Sequence, residues 1–414
     1  MKKTLIKKPN QPKSAPKGRV YFDYASGAPL RASVKKYMRA KLLETEANPG
    51  SIHASGVEAA RQAEAGRASI AYEFRVHSDE IIFTGSATES CALAILGTVR
   101  QFAPGKVEIV TTSIEHPAVL ENCRMLEREG YKVTYVAPEE NGIVSASAIK
   151  KAITSKTVLV SVMYAQNEIG TIMSVRDIAK VVRAHRAQRD SRKSLPLFFH
   201  TDATQAVNYL DIQFDLLGVD MLSFNSAKLG GPKGVGALIK KRNIKLLPLY
   251  AGGGQESGLR PGTTAPMLVG AFAQALSEVR ALCNGEDAPR RGGASLTLLR
   301  DYLFRDLKKQ FPKCRLNGDL QNRLPSNVHV SFPNFDSEVL VLELDARGIA
   351  VSSVSACKNE ETFSSHVLAA MYPLDKKKWG TVRISLGTDS TPEDCEYLLK
   401  SLKEIFKKYE NHKI

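Results

Sequence analysis

The chain has 414 residues, 43% of them hydrophobic, an ordinary value for a globular protein large enough for two or three cores. No apolar run reaches the ~18–20 residues of a membrane helix. Only Leu5-Ile6 follow the basic start MKKTLIKK, too little for a signal peptide, so a cytoplasmic protein without membrane contact is expected.

The net charge is +15, from 58 basic and 43 acidic residues. Much of it sits in residues 1–19, where Lys2, Lys3, Lys7, Lys8, Lys13, Lys17 and Arg19 alternate with Pro9, Pro12 and Pro16 and no acid, which reads as a disordered tail. A second basic cluster covers Arg183–Lys193. No zinc-finger, RNA-recognition or helix-turn-helix signature accompanies either, so an acidic protein is a better expectation than nucleic acid. The six cysteines, Cys91, Cys123, Cys283, Cys314, Cys357 and Cys395, show no CxxC pair and no metal-ligand spacing. They fit free thiols in a reducing compartment, most of them small buried hydrophobes.

In chain order, a short strand is expected at Val20–Tyr24, a helix through Ser33–Leu43, a loop at Asn48–Ser51 and a long helix at Val57–Phe74. Strand and helix then alternate: strands at Glu80–Phe83, Val107–Thr111, Lys132–Val136, Thr157–Met163, Pro196–His200 and Val219–Phe224, with helices at Ala87–Val99, Pro117–Arg128, Ser145–Ile153 and Val175–Arg189 between the earlier ones. Apolar strands alternating with amphipathic helices predict an α/β fold, a mainly parallel sheet covered on both faces. In such sheets ligands sit at the carboxyl ends of the strands. The helix Pro266–Ala281 and the Gly/Pro-bearing stretch Asn284–Gly293 lead into a smaller α+β unit. It holds helices at Ser295–Gln310 and Asp336–Ala346, strands at Asn327–Phe332 and Thr381–Leu386, and a last helix from Pro392. Three segments result: the tail 1–19, a large domain 20–280, and a small domain 281–414 that the N-terminal segment is expected to join.

Several strand-end loops carry chemistry. Thr84–Ser90 supplies free backbone N–H groups at a helix start, suited to a phosphate, although an ordinary capped helix start reads the same way. His116 can stack on an aromatic ligand or carry protons, or simply cap the following helix. Asn167 could hydrogen-bond a ring oxygen. Asp202 ends a strand where partial desolvation calls for a positive partner such as a protonated ring nitrogen. Lys228 follows the apolar run Val219–Phe224 and precedes Gly230-Gly231-Pro232-Lys233-Gly234. Desolvation there would move it toward the neutral nucleophilic amine of Schiff-base chemistry, while the plainer reading has it reach solvent. Together these loops describe a pyridoxal phosphate site.

In order along the chain, FDYASGAP, NPGSIH, FTGSATES, EHPAV, QNEIGT, HTDATQA, SFNSAKLGGPKGVGAL, GGGQESGLRPGT and SSVSAC resemble the motifs of cysteine desulfurases, in the class V branch of fold-type I pyridoxal phosphate enzymes. The resemblance covers everything from about Tyr21 onward. It implies a fold-type I large domain and smaller α+β domain, and pyridoxal 5'-phosphate held as a Schiff base on Lys228. Asp202 would pair with the pyridinium, Gln205 and Asn167 with the phenolic oxygen, and His116 with the ring face. Ala87, Thr88 and Asn225 would hold the phosphate, and Thr263 would reach the phosphate of the other subunit of a homodimer. Arg383 would clamp the substrate carboxylate. Cys357 would attack the sulfur of L-cysteine, become a persulfide and release alanine. The loop Lys358–Ser365 matches the long-loop group that serves iron–sulfur cluster assembly, which implies a sulfur-acceptor or scaffold protein as partner.

Five positions depart from the pattern. Ala227 stands where a phosphate-binding His is usual, Asn225 where Ser is, Gly85-Ser86 inverts Ser-Gly, Ser257 replaces Arg, and Val354 replaces Gly. The first implies weaker cofactor retention and the last a stiffer cysteine loop. Two alternatives share the motifs: a pyridoxal phosphate lyase or transaminase that does not use Cys357, such as one acting on selenocysteine, and a non-catalytic scaffold.

Overall fold

The computed structural model describes residues 18–42, 44, 47–189, 194–284, 293–353, 365–375 and 377–410. The tail to residue 17, residues 190–193 of the second basic cluster, and 354–364 with Val354 and Cys357 lie outside the described residues.

The chain opens with strand β1 (Val20–Tyr21) and helices α1 (Ala32–Lys41) and α2 (Ala54–Phe74). Alternation follows: β2 (Ile81–Thr84), α3 (Ala87–Val99), β3 (Glu108–Thr112), α4 (Pro117–Arg128), β4 (Lys132–Val136), α5 (Ala146–Ala152), β5 (Thr157–Ser161) and α6 (Val175–Ala187). Then come β6 (Phe198–Asp202), the single turn α7 (Phe214–Leu217), β7 (Met221–Asn225), β8 (Gly236–Lys240) and α8 (Pro266–Asn284). The remainder comprises α9 (Gly293–Gln310), β9 (Arg315–Leu316), β10 (Asn327–Pro333), α10 (Ser337–Asp345), β11 (Ile349–Ala350), α11 (His366–Met371), β12 (Trp379–Ser385) and α12 (Pro392–Glu410).

The main sheet has the order β2-β8-β7-β6-β5-β3-β4, and β8 alone runs against the rest. This is the mainly parallel α/β sheet expected. Its inner strands are buried on both faces, as crossover helices require, while the edge strand β4 is only partly covered. Alternate residues enter two cores: Ile81, Phe83, Leu222, Phe224 and Ile239 pack with α2, α6 and α8, while Ile82, Met221 and Leu238 pack with α3 and α4. A third core surrounds the antiparallel sheet β12-β10-β9 and takes in Val20 and Phe22 from the N-terminal segment, where β1 lies parallel to β11. Because β2, β3, β5, β6 and β7 run parallel, their carboxyl ends all open on one edge.

Element ends moved where hydrogen bonding, not apolarity, defines them. The strand read at Val219–Phe224 pairs from Met221 through Asn225, whose partner is Gly236. The one read at Pro196–His200 begins at Phe198 and reaches Asp202; Pro196 has no N–H to give a ladder. Helix α2 starts at Ala54 because His53 caps it, its ring accepting the Gly56 N–H.

Candidate active site

Each strand end delivers its residue through a short, capped turn. After β2, the Ser86 hydroxyl accepts the Glu89 N–H at 3.2 Å and the Ser86 carbonyl takes that of Ser90, which leaves the Ala87 and Thr88 amides at the helix start without intrahelical acceptors. Gly236 is needed opposite them: a Cβ there would lie 2.6 Å from the Ser86 carbonyl carbon. After β3, His116 caps α4 by accepting the Ala118 N–H on Nδ1 at 3.1 Å, with Pro117 at the first helical position. A neutral ring bonded in this way carries its proton on Nε2. Burial pushes the His116 pKa down, so the ring is neutral at physiological pH. After β7, the Asn225 side-chain oxygen accepts the Lys228 N–H at 3.2 Å and holds the tight turn that presents the amine.

These turns enclose a cavity of about 370 Å³. Ala87, Thr88, His116, Asn167, Asp202, Gln205, Asn225, Lys228 and Arg383 all line it, and Ala25, Ala118, Met163 and Ala165 supply its apolar wall. Thr263 does not; it is exposed on the loop Gly252–Thr263. Ala227 lies apart as well, its side chain facing a neighbouring cavity of about 770 Å³ that it shares with Tyr21, Met38 and Lys233.

Lys228 is half-buried and lines the cavity. Its Nζ donates to the Ser26 carbonyl at 2.5 Å, and burial, helped by Arg383, pushes its pKa down to about 8 against the pull of Asp23 and Asp202. Cofactor-free protein should therefore trap a small aldehyde at Lys228 with a pH–rate midpoint near 8 rather than 10.5, the value without the shift. The sign follows from the neutral amine being the nucleophile: rate rises with pH through the midpoint. Arg383→Gln, which removes a cation, should move the midpoint upward. Borohydride trapping across the pH range measures both, and a wild-type midpoint above about 10 would refute the desolvated amine.

Arg383 is held by the Asn167 carbonyl at 2.9 Å, the Asp23 carboxylate at 3.1 Å and the Ser26 hydroxyl at 2.6 Å. Asp202 accepts the Thr204 N–H at 2.9 Å, and Gln205 donates to the Ala25 carbonyl at 3.0 Å. The sequence reading assigned no role to Ser26 or Asp23, although FDYASGAP contains both; a loop with no apolar periodicity carries no local sign that it will cross to a residue 357 positions away. Two buried acids flank the site. Glu115 accepts from the Met163 N–H and the Thr112 hydroxyl, and burial raises its carboxyl to about 8. Glu168 is paired with the Ser365 hydroxyl, and burial raises it to about 7. Among the described residues no cluster of His, Cys, Asp and Glu could hold a metal ion, and no helix is long and apolar enough to cross a membrane. Cys91, Cys123, Cys314 and Cys395 are free and buried.

The chain is 38% identical over 392 residues to the cysteine desulfurase IscS of Dictyoglomus turgidum, covering 95% of each protein. It is 36% identical to the putative cysteine desulfurase IscS 1 of Bacillus subtilis, over 94% of this chain and 99% of that one. Among solved structures it resembles a NifS-like protein with a TM-score of 0.84 at 33% identity, covering 94% of this chain and 99% of that one. It also resembles SspA in complex with cysteine, with a TM-score of 0.75 at 32% identity and coverage of 90% and 100%. Residues 20–398, which span the sheet and every cavity residue named above, match the aminotransferase class-V model, and the chain belongs to that family.

Proposed function

We propose that this protein is a pyridoxal 5'-phosphate-dependent cysteine desulfurase that converts L-cysteine to L-alanine, with the sulfur carried off on Cys357. The observation that carries this reading is convergence: nine residues chosen from separate loops of the sequence line one cavity with a desolvated lysine. The cavity suits the cofactor. It offers an amine at Lys228, a carboxylate at Asp202, free amides at the start of α3, a neutral imidazole at His116 and alanine walls that accept a flat ring. The buried Thr204 hydroxyl, which also lines it, has no partner among the described residues and suits a ligand's polar edge.

Bound there, the cofactor supplies an electron sink for the pair left when the substrate Cα–H bond breaks. The chain does the rest. Ala87, Thr88 and Asn225 hold the phosphate, Asp202 keeps the ring nitrogen protonated, and Asn167 and Gln205 orient the ring oxygen. Lys228 accepts and returns the Cα proton, His116 carries a proton on Nε2, and Arg383 orients the substrate carboxylate. The Cys357 thiolate attacks the substrate sulfur; an S–S bond forms, the C–S bond breaks, and its electron pair is protonated at the alanine methyl carbon. The relative SspA, solved with cysteine bound, supports this substrate class. A homodimer, in which Thr263 reaches the partner's phosphate site, and delivery of sulfur to an acceptor or scaffold protein for iron–sulfur cluster or thio-cofactor synthesis complete the proposal.

Incubation with L-cysteine and a thiol reductant should yield alanine and sulfide in equal amounts, and Cys357→Ser should abolish both. Alanine release undiminished in that variant would favour a lyase that bypasses Cys357. A wild-type protein that binds no cofactor and yields neither product would leave only the scaffold.

A further inference from the structure

The inward face of the small sheet is polar and buried. Along β10, Val328, Val330 and Phe332 enter the third core, while Asn327, His329 and Ser331 face the other way. Thr381, Arg383 and Ser385 form the matching row on β12, and the register sets His329 directly opposite Arg383. Such a pair shares one face with Cβ atoms ~5 Å apart. Asn317, just after β9, leans on it: its Nδ2 lies 3.3 Å from His329 Nδ1 and donates to the Ser331 hydroxyl at 2.7 Å.

Three side-chain atoms here have no partner among the described residues: Asn317 Oδ1, His329 Nε2 and Arg383 Nε, on residues only 0%, 0% and 4% exposed. Buried polar atoms are almost always paired. Burial and the cations Arg323 and Arg383 push the His329 pKa down to about 3, so its ring is neutral. Accepting from Asn317 on Nδ1, it carries its proton on Nε2. The inventory is then two donors, His329 Nε2–H and Arg383 Nε–H, and one acceptor. The donors cannot satisfy each other. Asn317 sits on the Nδ1 side of the ring, away from Nε2, but His329 and Arg383 are cross-strand neighbours, and one water oxygen can accept from both donors. Reversing the Asn317 amide makes His329 Nε2 an acceptor, and one water still bridges it to Arg383 Nε–H.

We propose that His329 Nε2 and Arg383 Nε share one structural water, and that through it His329 is a positioning residue for Arg383. This rests on the reading of Arg383 as the substrate-carboxylate clamp. The two Nη atoms are tied to Asn167, Asp23 and Ser26 on one side of the guanidinium, and the water ties Nε on the other. Without the Nε bond the plane can roll, and the N–H left for the carboxylate loses its direction.

In the holoenzyme, His329→Leu should raise the KM for L-cysteine about tenfold, with kcat and the cofactor absorbance within about twofold of wild type, the effect of one lost charge-assisted hydrogen bond. His329→Gln, whose amide reaches toward the Nε2 position, should bring KM back to within about twofold. Equal impairment of both variants, or an unchanged KM in both, overturns the positioning role. A high-resolution crystal structure of the wild-type holoenzyme decides the water by itself, even if His329→Leu fails to fold: density at bonding distance from both His329 Nε2 and Arg383 Nε supports it, and none there overturns it. Arg383→Lys in the same assay separates the two readings. An unchanged KM would end the carboxylate role of Arg383 and the positioning role with it, while the crystallographic result still decides the water site.

Discussion

Lys228→Ala is expected to lower alanine release from L-cysteine by about 10³-fold or more and to remove the near-visible absorbance of a lysine-bound cofactor. Several facts make this side chain hard to replace. It is the only lysine among the described residues that line the cavity, its amine is held on the Ser26 carbonyl at 2.5 Å, and its pKa of about 8 keeps a useful neutral fraction near neutral pH. Asn225 fixes its backbone, so the amine's reach is set by the turn and not by a wandering chain. The variant should still bind cofactor through the α3 amides and Asp202, and a small primary amine should restore part of the activity by occupying the vacated space. Retention of more than about a tenth of wild-type turnover without added amine would remove Lys228 from the chemistry.

Glu256→Ala is expected to lower stability by about 3 kcal/mol, the low end for breaking a buried ion pair. Glu256 and Arg67 meet at 2.7 Å with side chains 3% and 11% exposed, and the same carboxylate accepts the Phe83 N–H of β2 at 2.8 Å. Removing it leaves a buried guanidinium with only the exposed Glu64, the Ile81 carbonyl and the Phe83 ring face. Glu256 and Ser257 also hold left-handed backbone, φ 50° and 56°, so this anchor keeps the Gly252–Thr263 loop in a conformation it would otherwise leave. Removing both charges, as Arg67→Leu with Glu256→Leu, should cost less than the single change. Urea unfolding measures all three proteins; a single-variant loss below about 1 kcal/mol would show that the pair is not an anchor.

Much of the fold could be read because its signal is local. Strands such as Thr157–Ser161 are fully buried around an apolar centre, Val158-Leu159-Val160, and helices such as Pro117–Arg128 carry their own start signals. The site could be read because a parallel sheet gathers strand ends, so His116, Asp202 and Lys228 needed only to follow a strand to be brought together. Residues recruited across long distances could not. Asp23 and Ser26 act on Arg383 from the other end of the chain, and Glu256 looks like an ordinary loop acid until Arg67 is seen beneath it. The polar row Asn327, His329 and Ser331 did leave a trace, since NVHVSF alternates strictly. Alternation ordinarily marks a solvent-facing side, however, and here that side is buried against the site.

The N-terminal segment has a consequence for how the protein is made. Val20 and Phe22 belong to the third core, and β1 finds its partner only at Ile349–Ala350. At about 5–20 residues per second, a ribosome needs roughly 15–65 s to make the intervening chain. Through that interval Val20 and Phe22 wait without their sheet, while the strands of the main sheet can already pair. Ser26 and Asp23, which follow β1 directly, cannot settle on Arg383 until more than nine-tenths of the chain has been made. The cavity is thus closed at the end of synthesis, and nascent chains that stall before β12 carry Lys228 with no guanidinium beside it.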